Sequence, residues 1–296
     1  MKNFVLFGSA GYIAPRHMKA IKETGNNLVA SFDPHDGVGI IDNYFPNSKY
    51  FKEFEIFDRF VEKFIQEGNK IDYVSICSPN YLHDAHVRYG LRIGADIICE
   101  KPLVLNPWNV GALETIERKS KKKINCILQL RHHPDIISLK NKIKNDNLNY
   151  HEVSLNYITS RGSWYLNSWK GDISKSGGLS TNIGIHFFDM LIWIFGDVDN
   201  VIIKNKTEKT VKGILELKNA KVDWNLSIDS DLIPSKYKKL GQRTFRSIKV
   251  DDKEIEFSSG FVDLHTISYK NIINGKGFGT NDAKKSIDLV SRIRNL

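Results

Sequence analysis

Within residues 1–130 short β-rich runs alternate with helical patterns, and this alternation limits the possible folds more than any other feature of the chain. The runs are NFVLF from Asn3, LVASFD from Leu28, YVSICS from Tyr73, DIICEK from Asp96 and INCILQL from Ile124. Helical patterns start at Ala14, Phe57, His83 and Trp108. Strands separated by helices pair in parallel, so the order predicts a doubly wound parallel sheet covered by helices. In the second helix Phe57, Phe60, Val61, Phe64 and Ile65 share one face, with Gly68 as the stop, and that face is expected in the core.

From about residue 150 the pattern changes to long alternating runs, HEVSLNYITS, NVIIKNKT, TVKGILELKNAKVDWNLSID and RSIKVDDKEIEFS. Turn pairs such as Asn219-Ala220 and Asp251-Asp252 fall between apolar-alternating arms, which predicts antiparallel pairing. Helices are expected at residues 180–195, from Leu264 to Asn274, and at the end, where Ile287, Val290 and Ile293 follow Thr280-Asn281-Asp282. The fold class is therefore α/β: a doubly wound domain over residues 1–125, then an α+β domain over 126–296 with a large, open, mostly antiparallel sheet. The last helix is expected to pack back on the first domain. Ligands in such folds sit at the carboxyl ends of the parallel strands, in a cleft expected beside the second domain.

Composition narrows the functional classes. At 296 residues and 41% hydrophobic, the chain has room for two domains with a real core. Cys77, Cys99 and Cys126 lie in or beside apolar runs without CxxC spacing, which predicts reduced core thiols rather than disulfides or zinc. The net charge of +9 is spread along the chain, so a solvated surface or an anionic small substrate is expected rather than nucleic acid. Ile183–Gly196 resembles a membrane span, but its 14 residues carry His186 and Asp189 and fall short of the ~20 needed to cross. A buried core helix, and a cytoplasmic protein without a signal segment, are the expectation.

Three motifs carry chemistry. The first, Gly8-Ser-Ala-Gly11-Tyr12-Ile13-Ala14-Pro15, follows a strand, opens a helix and precedes Asp33, which ends the next strand. Glycines there let backbone amides approach a pyrophosphate, and an acidic residue at that strand end suits ribose hydroxyls and repels a 2′-phosphate, favouring NAD. The spacing reads either as a turn one residue longer than usual or as Ser9-x-Gly11-x-x-Ala14, with a plain strand-turn-helix as the alternative. The second motif joins Ser78-Pro-Asn80-Tyr-Leu-His83 to Glu100-Lys101-Pro102, both at carboxyl ends of predicted parallel strands. A lysine aimed into a partly desolvated cleft has a lowered pKa. In the third, Asn182, His186 and Asp189 stand at i, i+4 and i+7, on one helical face. No thiolate or HExxH-like partner accompanies them, so no metal is expected.

In this order and spacing, the dinucleotide loop, SPNYLH, EKP and GGxxxTNxGxHxxD resemble the Gfo/Idh/MocA family of nicotinamide oxidoreductases across essentially the whole chain. The stretches AGYIAPRHM, VGIID, ILQLRHH, YITSRGSWYLNSWKGD and FSSGFVDLHTISY look like the WlbA/WbpB-like branch, which oxidises UDP-N-acetyl-D-glucosaminuronic acid at its 3″-hydroxyl for bacterial lipopolysaccharide O-antigen synthesis. The resemblance implies a Rossmann domain with NAD held by Gly11, Tyr12, Ile13, Asp33, Ser78, Asn80, His83, Glu100 and Lys101. It further implies that Lys101 contacts the reacting hydroxyl and that His186 shares the proton transfer; either could be the base. Many members carry aspartate where this chain has Asn182, which puts a three-residue relay in doubt. For a substrate with a diphosphate and a carboxylate, Arg131, Tyr157, Lys170 and Asn182 are expected to bind, with Arg161, Trp164 and Tyr165 as further candidates. Reoxidation of NADH by 2-oxoglutarate and a homotetramer are also implied. The alternatives are another sugar or cyclitol dehydrogenase, or a non-catalytic NAD sensor.

Overall fold

The structure is a computed structural model describing residues 1–146, 148–251, 253–255 and 263–296. It divides into two compact units. Met1–Leu128 and Asp263–Lys284 form the first; the second begins at Gln129 and takes the C terminus from Lys285. Asp252 of the expected turn pair and residues 257–262 of FSSGFVDLHTISY lie outside the described residues.

The first unit holds β1 (Asn3–Phe7), β2 (Asn27–Phe32), β3 (Lys49–Phe51), β4 (Tyr73–Ile76), β5 (Asp96–Cys99) and β6 (Ile124–Cys126), all parallel, in the order β3-β2-β1-β4-β5-β6. Central β1 is covered on both faces, which is why Phe4 to Phe7 read as an unbroken apolar run with no exposed residue. Three-residue β3 escaped the sequence reading because a strand that short shows no period. It lies at the sheet edge, and so the neighbouring helix Phe54–Gln66 buries only Phe57 and Val61 fully, with Phe60, Phe64 and Ile65 half-buried. All three cysteines are free and buried, as their apolar surroundings predict.

It is the helix Leu264–Ile273, rather than the last turns of the chain, that completes this unit's core. Tyr269 has no exposed surface and stacks on Phe4 at 6.0 Å between ring centroids. The final helix, Thr280–Asn295, belongs from Lys285 onward to the second unit, where Lys206 Nζ donates to the Arg294 carbonyl at 2.8 Å.

The second unit carries β7 (His151–Thr159), β8 (Val198–Lys206), β9 (Thr210–Leu217), β10 (Ala220–Ser227), β11 (Thr244–Val250) and β12 (Lys253–Ile255), in the order β12-β11-β7-β10-β9-β8. Pairing is antiparallel except at the centre, where β7 and β10 run parallel. That exception requires a crossover, and the chain between them supplies the apolar helix Ile185–Phe195 and the β8–β9 hairpin. Along β10, Ala220, Val222, Trp224 and Leu226 are buried while Lys221 and Asp223 are exposed, and Phe188 of the helix meets Trp224 edge-on at 5.1 Å. The helical run Ile173–Phe195 is apolar and long enough to cross a membrane, but 72% of its most apolar window is buried inside the protein, as in a core helix.

One buried histidine in the first unit makes its stability depend on pH. His86 stacks on Phe7 at 4.2 Å, its Nδ1 lies 2.9 Å from Ser78 Oγ, and burial lowers its pKa from 6.5 to about 3. Between those values the unfolded chain binds a proton that the folded ring refuses, so stability falls as pH drops below about 6.5. His86 alone contributes a slope of about 1.4 kcal/mol per pH unit. Urea denaturation at pH 7, 6 and 5 is expected to show this decline, with a shallower slope in His86→Asn; equal slopes would remove His86 as its cause.

Candidate active site

The loop after β1 is built for close backbone approach. Gly8 has φ +87°, and a Cβ there would lie 2.5 Å from the Ser78 nitrogen. No other residue fits, so the strict requirement falls on Gly8 rather than on Gly11, whose Cβ would come no closer than 3.1 Å to the Gly8 carbonyl and 3.7 Å to that of Cys77. Gly11 N–H donates to that carbonyl at 3.0 Å, and Ala14 N–H to the Gly11 carbonyl at 3.1 Å, winding the chain into the helix Ala14–Glu23. Asp33, at the end of β2 and 6% exposed, accepts from Ala10 N–H at 3.0 Å and His35 N–H at 2.9 Å. Its carboxylate thus shapes the loop as well as standing where ribose hydroxyls are expected. Tyr12 is exposed and Ile13 packs against the core, so these neighbours face different surroundings.

The second motif closes around His83. Its Nδ1 lies 2.7 Å from the Pro102 carbonyl and its Nε2 2.8 Å from the Ser78 carbonyl, joining SPNYLH to EKP. Burial lowers its pKa, against the pull of both carbonyls, so the neutral ring donates to one of them at a time. Ser78 and Asn80 are buried beside it. Glu100 ends β5, buried, with His17 Nε2 at 3.1 Å and His265 Nε2 at 2.7 Å on its Oε1. Burial pushes its pKa up, but the two histidine hydrogen bonds outweigh this and hold it well below the usual carboxylate range. Every residue from Ile97 to Val104 is buried except Lys101, which is partly exposed.

In the second unit the same signature recurs. From Leu179 to Ile192 every residue is buried except His186, whose Nε2 lies 3.5 Å from Gln129 Nε2. Ser180–Gly184 is a π-helical turn, so Asn182 lies in a wider winding than His186 and Asp189 on the helix Ile185–Phe195, and Asn182 and Asp189 hydrogen-bond to different side chains. Asn182 Nδ2 donates to Tyr165 Oη at 2.7 Å, whereas Asp189 takes a bidentate fork from Arg131, at 3.0 Å from Nε and 2.8 Å from Nη2. Arg131 was expected to offer that fork to a ligand carboxylate; in the structure Asp189 occupies it.

Tyr157 is buried and packs on Phe187 at 4.6 Å, with the Arg246 guanidinium 5.5 Å from its ring. Lys170 Nζ sits 4.8 Å from the Trp164 ring and 5.4 Å from Trp169, and burial, then Arg161, lowers its pKa. Beside it, Thr159, Arg161, Trp164, Arg243 and their neighbours line a cavity of about 530 Å³. Sequence reasoning named Gly8 in the loop but gave the cofactor role to Gly11, and it gave no role to His17, His265, Tyr269 or Arg243, which meet their surroundings through long-range packing.

The comparisons with known proteins follow this geometry. Residues 2–128 match the oxidoreductase family's NAD-binding Rossmann fold (GFO_IDH_MocA), and residues 140–230 match its C-terminal alpha/beta domain. The WlbA (WbpB) dehydrogenase of Thermus thermophilus, solved with NAD and alpha-ketoglutarate, is 46% identical with a TM-score of 0.97, covering 100% of this chain and 96% of that one. The chain belongs to the Gfo/Idh/MocA oxidoreductase family. The same Thermus enzyme solved with NAD and UDP-GlcNAcA gives 46% identity and a TM-score of 0.96, over 100% and 95% of the two chains. Inositol 2-dehydrogenase of Rhizobium meliloti (strain 1021) is 30% identical over 134 residues, 45% of this chain and 39% of that enzyme. The curated family members are matched over less than half of their own length. As an oxidoreductase of this family, the chain has in its first unit the glycine-lined loop and strand-end aspartate that suit NAD.

Proposed function

We propose that this chain catalyses the NAD-dependent oxidation of the 3″-hydroxyl of UDP-N-acetyl-D-glucosaminuronic acid to the 3-keto sugar, a step in bacterial lipopolysaccharide O-antigen synthesis. The observation that carries this reading is the 46% identity, over the full chain, to a dehydrogenase solved with NAD and UDP-GlcNAcA. Two features of the chain's own chemistry support it. Lys101 and His186 are the partly exposed points in otherwise buried stretches, and both residue types move protons near neutral pH.

In this reading Gly11, Tyr12, Ile13, Asp33, Ser78, Asn80, His83 and Glu100 form or support the cofactor's seat, with Gly8 giving it clearance. NAD, when bound, supplies the two-electron acceptor for the carbon-bound hydrogen of the alcohol. Lys101 contacts the reacting hydroxyl, and His186 takes part in moving its proton. Asn182, neutral and held by Tyr165, orients rather than titrates. Arg131, already paired with Asp189, positions the wall of the site. Direct binding of the anionic part of the substrate falls to Lys170 and to Arg161 and Arg243 around the neighbouring cavity. Reoxidation of NADH by 2-oxoglutarate, a homotetramer and a cytoplasmic location complete the proposal.

The test mixes enzyme, NAD and UDP-N-acetyl-D-glucosaminuronic acid and follows NADH absorbance, with and without 2-oxoglutarate. Formation of NADH with this sugar and not with inositol or free glucose is the expected result; the reverse preference would overturn the substrate. Arg161→Ala is expected to raise KM for the UDP sugar about tenfold with kcat held, since a charge-assisted hydrogen bond is worth roughly 1.5–3 kcal/mol. An unchanged KM would remove the cavity from the substrate's path.

A further inference from the structure

Behind Glu100, at the root of Lys101, lies a set of buried polar groups to which the proposed reaction gives no role: His17, His265, Tyr269 and Ser75. Glu100 Oε1 receives His17 Nε2 at 3.1 Å and His265 Nε2 at 2.7 Å, while Oε2 accepts from the Lys101 backbone N–H at 3.2 Å. His17 Nδ1 lies 2.7 Å from Tyr269 Oη, which lies 2.7 Å from Ser75 Oγ. All five side chains, Glu100, His17, His265, Tyr269 and Ser75, are buried, from 0% to 6% exposed.

The chemistry of these groups assigns the protons. A carboxylate oxygen only accepts, so both Nε2 atoms carry hydrogen. His17 then has its Nδ1 lone pair free to accept from Tyr269 O–H, and the tyrosine oxygen in turn accepts from Ser75 O–H. Every member is satisfied in one direction, ending on Glu100. The reverse direction would need His17 as an imidazolium, which its complete burial disfavours. The three ligand-type atoms of His17, Glu100 and His265 lie within 4.8 Å of one another, close enough to suggest a metal. Instead, both nitrogens converge on one oxygen at hydrogen-bond length, and His17 is already oriented by Tyr269.

We propose that Glu100 is a positioning residue: His17 and His265 hold its carboxylate, and the carboxylate locks the Lys101 backbone in place. The inference rests on the reading of Lys101 as the group that contacts the reacting hydroxyl. His17 belongs to the helix that opens from the glycine loop, and His265 to the helix Leu264–Ile273. Lys101 is thereby tied through one carboxylate to the helix that follows the dinucleotide turn. A long lysine side chain needs a fixed root, because a misplacement of about 1 Å can cost ~100-fold in rate.

Glu100→Gln keeps the shape but sets an amide NH2 against N–H donors on one side or the other. Measured at saturating NAD, its kcat is expected to fall about 10- to 100-fold. The His265 pair separates hydrogen bonding from packing and serves even if Glu100→Gln does not fold. His265→Gln retains a donor and is expected within about threefold of wild-type kcat, whereas His265→Leu fills the space, lacks the donor and is expected to fall with Glu100→Gln. Wild-type kcat in Glu100→Gln, equal kcat in the two His265 variants, or one equivalent of zinc in the purified protein by elemental analysis would each overturn the proposal. Lys101→Ala, measured alongside, distinguishes the two failures. An active Lys101→Ala overturns the parent reading and this one together, while an inactive Lys101→Ala beside a fully active Glu100→Gln overturns this one alone.

Discussion

Lys101→Ala is expected to cut turnover on UDP-N-acetyl-D-glucosaminuronic acid about a hundredfold or more while NAD binding survives. The physical basis is its position: EKP leaves β5 at its carboxyl end, the chain on both sides is buried, and Lys101 alone from Ile97 to Val104 reaches outward. Removal of the ammonium takes away a proton-handling group without touching Gly8, Asp33 or His83, which shape the dinucleotide loop. His186→Asn is expected to behave alike, because asparagine hydrogen-bonds but does not titrate near neutral pH. Steady-state kcat together with NAD titration by fluorescence checks both variants. Wild-type turnover in either would remove that residue from the chemistry, and loss of NAD binding would move its role to the cofactor.

The second large effect concerns Arg131 and Asp189. Their bidentate pair is 7% and 4% exposed at the side chains, so neither charge has water to fall back on. Asp189→Ala removes the carboxylate that takes the fork from a buried guanidinium and is expected to cost about 3–5 kcal/mol of stability. The double replacement Arg131→Met with Asp189→Leu, which removes both charges and keeps most of the volume, is expected to recover much of that loss. Urea denaturation of the single and double variants decides the matter. A loss below about 1 kcal/mol in Asp189→Ala would mean that the pair does not hold the second unit together, and Arg131 would again be a candidate for direct substrate contact.

Much of the first unit was legible because its strands are covered on both faces. Phe4–Phe7 is apolar throughout and Tyr73–Ile76 is interrupted only by Ser75, as strands buried in a parallel sheet are, and such runs stand out between helical patterns. Strand β3 did not stand out, since three residues carry no period. In the second unit, alternation along β9 and β10 announced the hairpin, but not the parallel contact between β7 and β10, because a strand's own pattern is the same whichever way its neighbour runs. Lys101 and His186 were legible as residue types in motifs. The π turn Ser180–Gly184 before His186 was not, because i, i+4, i+7 spacing assumes 3.6 residues per turn throughout.

Local sequence therefore determined most of the strand and helix order, the glycine turn and the candidate chemistry-bearing side chains, because these depend on neighbours within a turn or a strand. Which charge meets which partner was decided only by tertiary structure. Arg131 finds Asp189 58 positions away, and Glu100 gathers His17 from 83 positions before it and His265 from 165 after it. A fork of donors or a carboxylate looks alike in sequence whether it awaits a ligand or is already filled. Burial settles which, because a buried charge must find its partner within the fold.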